Sequence, residues 1–186
     1  MAVQAKALVE DDPIEPLILS GEHREAIAEC ARKHGGALGR LCMAMLGSQA
    51  EAEEAMQDTL LAAHDAMAGW RREGTIRAWL FGIARHVCAR RLERRTTEER
   101  RLALVTHGED ETSAAPEALL DARRRAAAIR EALGRLAPSE RDTLLLRYQA
   151  DLSYREIGQA MGIDEATARK RASRALARLR EVMRDA

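Results

Sequence analysis

The last third of the chain carries the pattern that most constrains its fold: two helices joined by a glycine turn between residues 153 and 180. Ser153 and Glu156 stand at the spacing of a capping box, in which the serine hydroxyl accepts from the N–H at position 156 and the glutamate reaches back. Gly162 supplies the turn, and Asp164 is placed to cap the next helix. The pattern predicts a helix-turn-helix with helices at about 154–161 and 165–183.

The second of these helices is predicted to be amphipathic and strongly basic. Its apolar stripe recurs at helical spacing from Ala168 to Met183. A solvated surface helix is the alternative interpretation, but the cap, the turn glycine and the basic face coincide here, which favours a helix that reads DNA. The side chains predicted to face the groove or its flanking phosphates are Thr167, Lys170, Arg171 and Arg174.

The composition favours an all-α protein. Alanine, leucine, glutamate and arginine are abundant and β-branched residues are few. We predict an all-α fold of two small helical domains joined by a flexible linker, the second domain containing the helix-turn-helix. The predicted segments are a flexible acidic arm at 1–19, a first domain at 20–95, a linker at 96–118 and a second domain at 119–186.

Three helices are predicted in the first domain. The first runs over about 22–46, with a break at Gly35 and Gly36, because glycine disfavours a helix interior. Ser48 begins a second capping-box pattern, which opens a helix that ends near residue 67. Thr75 caps a third helix, which ends near residue 95.

The net charge of zero conceals segregated charge. Residues 71–101 hold 10 basic and 4 acidic side chains, and residues 123–186 hold 15 basic and 9 acidic ones. Residues 102–122, between them, hold five acidic side chains and no basic one. Two basic blocks separated by an acidic segment indicate two nucleic-acid contacts rather than one basic domain.

Several classes of protein are disfavoured by what the sequence lacks. The acidic N-terminus has no apolar stretch of a signal peptide, and no run approaches the length of a membrane span, so no membrane insertion is expected. Three cysteines at irregular spacing do not make a disulfide framework, which favours a cytoplasmic protein with reduced thiols. Phosphate loops, nucleophile elbows and metalloprotease motifs are missing, so we expect neither an enzyme nor a cofactor.

Cys30, His34 and Cys42 come closest to a metal or redox site, since Cys30 and His34 lie four residues apart on one predicted helix. No paired CxxC elements accompany them, and buried structural cysteines are the commoner outcome. We therefore expect no bound metal.

An aromatic and basic cluster lies around the start of the third helix. Aromatic faces beside cationic side chains form a platform on which unpaired bases stack while phosphates are neutralised. A core anchor is the commoner role for Trp79 taken alone, whereas the cluster as a whole favours contact with single strands. Arg77, Phe81 and Arg85 are predicted to project away from a buried face formed by Ile76, Leu80, Ile83 and Val87. The other members of the cluster are Trp70, Arg71 and Arg72.

The helix predicted from residue 49 to 67 has an acidic outer face. Such a face is usually only solvated, but Leu61 lies within it, and an apolar residue there indicates a protein interface. The members of this face are Glu54, Gln57, Asp58 and Leu61.

The arrangement of motifs resembles that of sigma factors of the extracytoplasmic-function (ECF) type, the smallest class of bacterial RNA polymerase initiation subunits. Residues 52–60 read A-E-E-A-M-Q-D-T-L and are similar to the family segment A-E-D-L-V-Q-E-x-F. Residues 79–86 read W-L-F-G-I-A-R-H and are similar to W-L-x-x-I-A-R-N. Residues 166–171, A-T-A-R-K-R, stand where the family has G-T-V-K-S-R. The resemblance covers about residues 22–184.

This resemblance implies a division of labour between the two domains. The first would be sigma region 2, which binds core RNA polymerase through its beta-prime and beta subunits and contacts the −10 promoter element. The second would be sigma region 4, which contacts the −35 element. The implied polymerase-binding residues are Glu54, Gln57, Asp58 and Leu61. The implied −10 residues are Trp70, Arg77, Trp79, Arg85, His86 and Arg90, and the implied −35 residues are Thr167, Arg169, Lys170, Arg171 and Arg174.

Two departures from the family pattern affect the expected specificity. His86 replaces the usual asparagine and adds a titratable group. Ala166 and Ala168 are atypical at the start of the recognition helix, so the −35 sequence cannot be inferred. We expect no attached sensor domain, so a separate anti-sigma factor is the expected regulator.

Two other functions remain open at this point. One is an ordinary helix-turn-helix repressor or activator, which would bind duplex DNA without polymerase. The other is a sigma-like interaction protein that binds an anti-sigma factor.

Overall fold

The computed structural model describes residues 12–103 and 127–184, and their side chains except at 99–103. All regular elements within these ranges are helical, which confirms the all-α prediction. The helices are α1 (Ile14–Leu19), α2 (His23–Leu46), α3 (Gln49–Ala66), α4 (Ile76–Ala103), α5 (residues 127–134), α6 (Pro138–Tyr148), α7 (Tyr154–Met161) and α8 (Glu165–Arg184), with a short 3-10 helix at Met67–Gly69.

The first group of helices packs around α2. Helices α3 and α4 lie against it and against each other, and α1 covers one end. Leu38 and Leu41 of α2 and Leu80 and Phe81 of α4 belong to one hydrophobic core and are fully buried. Burying side chains of this size contributes about 1.5–3 kcal/mol each, so this core holds the three long helices together.

The second group is the helix-turn-helix with α6. Helix α8 packs on both α6 and α7, and its buried side is made largely of small residues, Ala168, Ala172 and Ala175. Leu146 and Ile157 fill the space between the helices and are fully buried. Small side chains on α8 let its backbone approach the other two helices closely, which leaves its long basic side chains on the outside.

The helix starts that were predicted from side-chain caps at Ser153 and Thr75 are confirmed. Ser153 accepts from the Glu156 N–H at 3.2 Å, and the Glu156 carboxylate accepts from the Ser153 N–H at 2.9 Å, which completes the capping box. Thr75 accepts from the N–H of Ala78 at 3.0 Å at the start of α4. At the turn, Gly162 has φ of 66°, a left-handed conformation that glycine adopts without steric cost.

Three boundaries predicted from the sequence were wrong within the described residues. The arm predicted for 1–19 contains α1, because Ile14 and Ile18 lie one turn apart and both pack into the core. Helix α2 runs through Gly35 and Gly36, since its packing along both halves outweighs the propensity cost of about 1 kcal/mol per glycine. Helix α4 continues to Ala103, well past the predicted linker start at 96.

The prediction for Phe81 was also wrong. Phe81 does not project into solvent; it is fully buried and meets His34 edge to face at 6.4 Å between ring centroids. Helix α4 packs against α2, α3 and α7 at once, so residues on more than one of its faces are buried. The predictions for the rest of the arm, at 1–11, and for most of the linker, at 104–126, lie outside the described residues.

Candidate nucleic-acid interface

Helix α8 presents a basic surface at the edge of the helix-turn-helix. Of its predicted groove-facing side chains, Lys170 and Arg174 are exposed, while Thr167 and Arg171 are half-buried. The buried alanines lie on the opposite side, against α6 and α7. The surface can therefore meet a DNA groove without any rearrangement of the helix-turn-helix.

Thr167 also has a structural role. Its N–H and hydroxyl both donate to the carboxylate of Asp164, at 2.8 and 2.6 Å. These hydrogen bonds hold the pKa of Asp164 below its usual range, so the N-cap keeps its negative charge at the positive end of the helix dipole.

Arg169 is held in place by an aromatic contact that the sequence reasoning did not identify. Its guanidinium lies 5.4 Å from the centre of the Tyr154 ring, and Arg147 of α6 lies at the same distance from that ring. Glu165, one turn earlier on α8, accepts from Arg169 at 2.7 Å. Arg169 was among the implied −35 residues, but its contact with Tyr154 had no sequence signal, because Tyr154 and its two arginine partners lie on three different helices.

The six predicted −10 residues fall into three environments. His86 and Arg90 are exposed on α4, and Trp70 and Trp79 are half-buried and pack against the core. Arg77 and Arg85 are also half-buried, but both are turned towards the second group of helices. The cluster predicted to bind single strands is thus split, with the tryptophans serving partly as core anchors.

Arg85 and His86 form a polar pair at the edge of this surface. Arg85 donates to Asp142 at 3.3 Å and to the Nε2 atom of His86 at 2.9 Å. Burial lowers the pKa of His86, and the neighbouring charges of Arg85 and Arg90 lower it further. The neutral imidazole can accept at Nε2, so the arginine and the histidine are compatible at neutral pH.

The predicted polymerase-binding face lies on α3. Glu54, Gln57 and Asp58 are exposed, and Leu61 is 65% exposed. Arg91 of α4 reaches across to this face and bridges Glu54 at 2.9 Å and Asp58 at 2.5 Å, which raises the pKa of the arginine. Arg91 was missed by sequence reasoning, because its partners lie on another helix more than 30 residues away.

The cysteines lie in the core of the first group of helices. Cys30, Cys42 and Cys88 are free and buried, and His34 is 6% exposed. Burial raises the pKa of the Cys30 thiol to about 11, and hydrogen bonding with the Cys42 thiol raises the pKa of Cys88. The raised pKa values of Cys30 and Cys88 disfavour the thiolate that binds metals or attacks oxidants at these two positions, whereas the hydrogen bond with Cys88 lowers the pKa of Cys42. In the described part of the chain, no three metal-ligating side chains are grouped closely enough to hold an ion.

None of the helices in the described ranges is both long and apolar enough to cross a membrane.

Sequence comparisons identify two regions of the chain. Family models described as Sigma-70 region 2 and Sigma-70, region 4 match residues 30–98 and 126–179. The ECF RNA polymerase sigma factor SigL of Mycobacterium tuberculosis is 30% identical over 163 residues, covering 82% of this chain and 86% of SigL. The ECF sigma factor SigM of the same species is 27% identical over 161 residues, covering 86% of this chain and 78% of SigM.

Solved structures show the same fold. CnrH, in complex with the cytosolic domain of CnrY, matches with a TM-score of 0.68 at 22% identity, covering 94% of this chain and 97% of that one. The sigma factor RpoE of Bartonella quintana, in complex with the anti-sigma factor NepR, matches with a TM-score of 0.58 at 23% identity, covering 90% of this chain and 98% of that one.

The helical groups and the family matches define a sigma-70-type transcription initiation factor rather than an enzyme. The sequence motifs resembled a smaller class within that group, and the comparisons agree with them. The chain belongs to the ECF family of RNA polymerase sigma factors.

Proposed function

We propose that the chain recruits core RNA polymerase to promoters by contacting the −10 element with its first helical domain and the −35 element with its second. The first domain is proposed to comprise α1 to α4 and the second α5 to α8, joined by the segment between them. The observation that supports this most strongly is the basic outer surface of α8. It stays exposed because the helix packs on α6 and α7 through the alanines of its other side.

Helix α8 lies in the major groove at −35 in this proposal. A helix-turn-helix places its second helix in that groove, and the exposed guanidinium of Arg174 and the ammonium of Lys170 can reach base edges or phosphates. An arginine that matches a guanine edge through paired hydrogen bonds contributes about 1–3 kcal/mol of discrimination. Arg169 and Thr167 are restrained by contacts within the helix-turn-helix. In this proposal they help to position α8 on the DNA rather than to read its sequence.

The −10 element is contacted by α4 and the loop before it. Exposed His86 and Arg90, half-buried Trp70 and Trp79, and the guanidiniums of Arg77 and Arg85 combine stacking surfaces with positive charge. This is the combination that binds an unpaired strand.

Polymerase docking is assigned to the outer face of α3. The face joins a carboxylate pair, ordered by Arg91, with the exposed Leu61, so it offers both charge and apolar area to a partner. We propose that it binds the clamp helices of the beta-prime subunit, with further contacts to the beta subunit. A separate anti-sigma factor in the cytoplasm is the proposed regulator, in line with the complexes formed by structurally similar proteins.

The −35 assignment can be tested with holoenzyme on promoters randomised across that element. Alanine replacements at Arg171 and Arg174 are compared with Arg180→Ala; Arg180 is exposed and lies about two turns further along α8. We expect at least one of the first two variants to relax the preferred sequence, and the third to leave it unchanged. Uniform loss of activity in every variant, with no change in preferred sequence, would contradict reading by α8.

A further inference from the structure

A cavity of about 950 Å³ lies between α1, α2, the beginning of α4 and α7. We propose that it binds a small hydroxylated aromatic acid, whose hydroxyl group pairs with His34 and whose carboxylate pairs with Arg155. Trp70 and Arg77 of the proposed −10 set also line the cavity, but its walls on α1, α2 and α7 have no part in that set. This ligand site therefore goes beyond the function proposed above and does not depend on it.

The first observation is a buried polar atom in the cavity wall. His34 of α2 lines the cavity and is only 6% exposed. Its Nε2 atom is buried and has no hydrogen-bond partner among the described residues. A buried polar group that lacks a partner is costly, so a molecule that supplies the partner gains affinity.

The protonation state of His34 selects the chemistry of that partner. Burial lowers the pKa of His34, so the imidazole is neutral at neutral pH. In a neutral imidazole one nitrogen donates and the other accepts, and Nε2 can have either role. A hydroxyl group both donates and accepts, so it pairs with Nε2 in both tautomers. A carbonyl oxygen or an ammonium group would pair with only one of them.

The charges around the cavity favour a single negative charge on the ligand. Three of the four basic side chains in the wall are paired with carboxylates: Lys33 with Asp12 at 3.3 Å, Arg77 with Glu156 at 3.7 Å, and Arg72 with Glu15. The fourth, Arg155 of α7, is exposed, and its guanidinium has no ion-pair or hydrogen-bond partner in the described ranges. A guanidinium binds a carboxylate through two parallel hydrogen bonds, so a carboxylate is the group that Arg155 fits best.

The apolar part of the wall accounts for the aromatic ring. Trp70 and Ala37 line the cavity and are half-buried, so each presents apolar surface to it. Aromatic rings stack on one another or meet edge to face, and Trp70 offers such a contact. Binding sites for small molecules combine apolar walls with a few placed polar groups in volumes of roughly 300–1,000 Å³. The cavity has this composition and this size.

The test is calorimetric titration of the full chain with three probes. The first, 4-hydroxycinnamate, carries the ring, the hydroxyl group and the carboxylate. Cinnamate lacks the hydroxyl group, and 4-hydroxycinnamyl alcohol lacks the carboxylate. We expect 4-hydroxycinnamate to bind most tightly and each of the others to bind about threefold to tenfold more weakly, the change that one hydrogen bond produces.

Two variants assign these preferences to residues. His34→Phe keeps a planar ring and removes the unpartnered nitrogen, so it should bind cinnamate and 4-hydroxycinnamate equally. Arg155→Ala should bind the acid and the alcohol equally, and added salt should weaken acid binding only in chains that keep Arg155. The matched control is Arg180→Ala, which removes an exposed arginine of α8 and should bind like the wild type.

A measurement on the wild type covers the case in which His34→Phe does not fold. The nitrogen chemical shift of His34 Nε2 should then change on addition of 4-hydroxycinnamate and stay constant on addition of cinnamate.

A hydroxyl preference that is absent in the wild type, or that persists in His34→Phe, would overturn the pairing with His34. If no probe shows saturable binding, the cavity holds water only and the ligand site is refuted. If the acids do not bind but a single-stranded oligonucleotide binds more weakly to His34→Phe than to the wild type, the cavity belongs to the strand-binding surface, which also overturns the proposal. All of these titrations use the free chain, so their failure leaves the proposed role in transcription to its own test.

Discussion

At the scale of single residues, His86 is a titratable side chain on the proposed DNA-binding surface, and its protonation should make stability depend on pH. Its neighbours are Arg85 and Arg90 on α4 and Asp142 on α6, and its pKa is lowered by burial and by the two arginines. A histidine whose folded-state pKa is below its unfolded value stabilises the fold above the unfolded value, and this contribution is lost as the pH falls through the folded-state pKa.

We therefore expect the wild type to lose more thermal stability than His86→Asn when the pH is lowered from 7 to 5. The asparagine is the residue usual in the family pattern and does not titrate. The measurement is the melting temperature of each protein across this pH range, followed by circular dichroism. Parallel pH profiles for the two proteins would show that His86 titrates without energetic consequence.

Tyr154 is a second single residue with a specific expected effect, because it lies between two guanidiniums from α6 and α8. A cation–π contact contributes about 0.5–2 kcal/mol. Tyr154→Leu should lower the free energy of unfolding by about 1 kcal/mol and weaken −35 binding, since Arg169 loses its support. Tyr154→Phe keeps the ring and should match the wild type in both assays. If the phenylalanine and leucine variants lose stability and −35 binding to the same extent, the hydroxyl rather than the ring is responsible.

At the scale of elements, the caps were the features that sequence predicted best. A capping box depends on residues three apart, so Ser153 and Glu156 could be assigned without knowledge of the rest of the chain. The burial of Phe81 could not be predicted in this way, because the number of buried faces on α4 depends on how many helices pack around it. The course of α2 through Gly35 and Gly36 was also decided by packing rather than by propensity.

The capping box gives a direct test of element stability. Ser153→Ala removes the acceptor for the Glu156 N–H and should cost about 1 kcal/mol of unfolding free energy. The matched control is Ser173→Ala on the exposed side of α8, where a serine has no capping role and alanine favours the helix. Urea denaturation of both variants provides the measurement. Equal destabilisation of the two would show that the cap contributes nothing of its own.

The α3 face can be tested by charge reversal. Asp58→Arg should weaken binding to core polymerase strongly, since it removes an acidic side chain and sets a new cation beside Arg91. Like charges juxtaposed at an interface cost several kcal/mol. Glu181→Arg, an equal charge change on exposed α8, is the control and should bind like the wild type. Unchanged co-purification of Asp58→Arg with core polymerase, at matched helix content, would assign docking to another face.

At the scale of the whole molecule, the sequence predicted two helical units but not their contact. The charge blocks and the linker composition indicated separate nucleic-acid surfaces, and the family models match both units. The partners that join the units, such as Arg85 and Asp142, lie 57 residues apart and belong to no local pattern. Such pairs become visible only when the helices are placed in space.

Transcription in vitro tests most directly whether this chain acts as a promoter-specificity subunit of RNA polymerase. Purified core polymerase is incubated with a genomic promoter library, with and without the chain, and run-off products are sequenced, while gel shifts measure binding of the free chain to the same duplexes. We predict specific start sites only when chain and core are both present, with weak duplex binding by the chain alone. Tight, sequence-specific binding of the free chain to intact duplex, with no new start sites when the chain is added to core polymerase, would contradict this role and favour an ordinary repressor or activator.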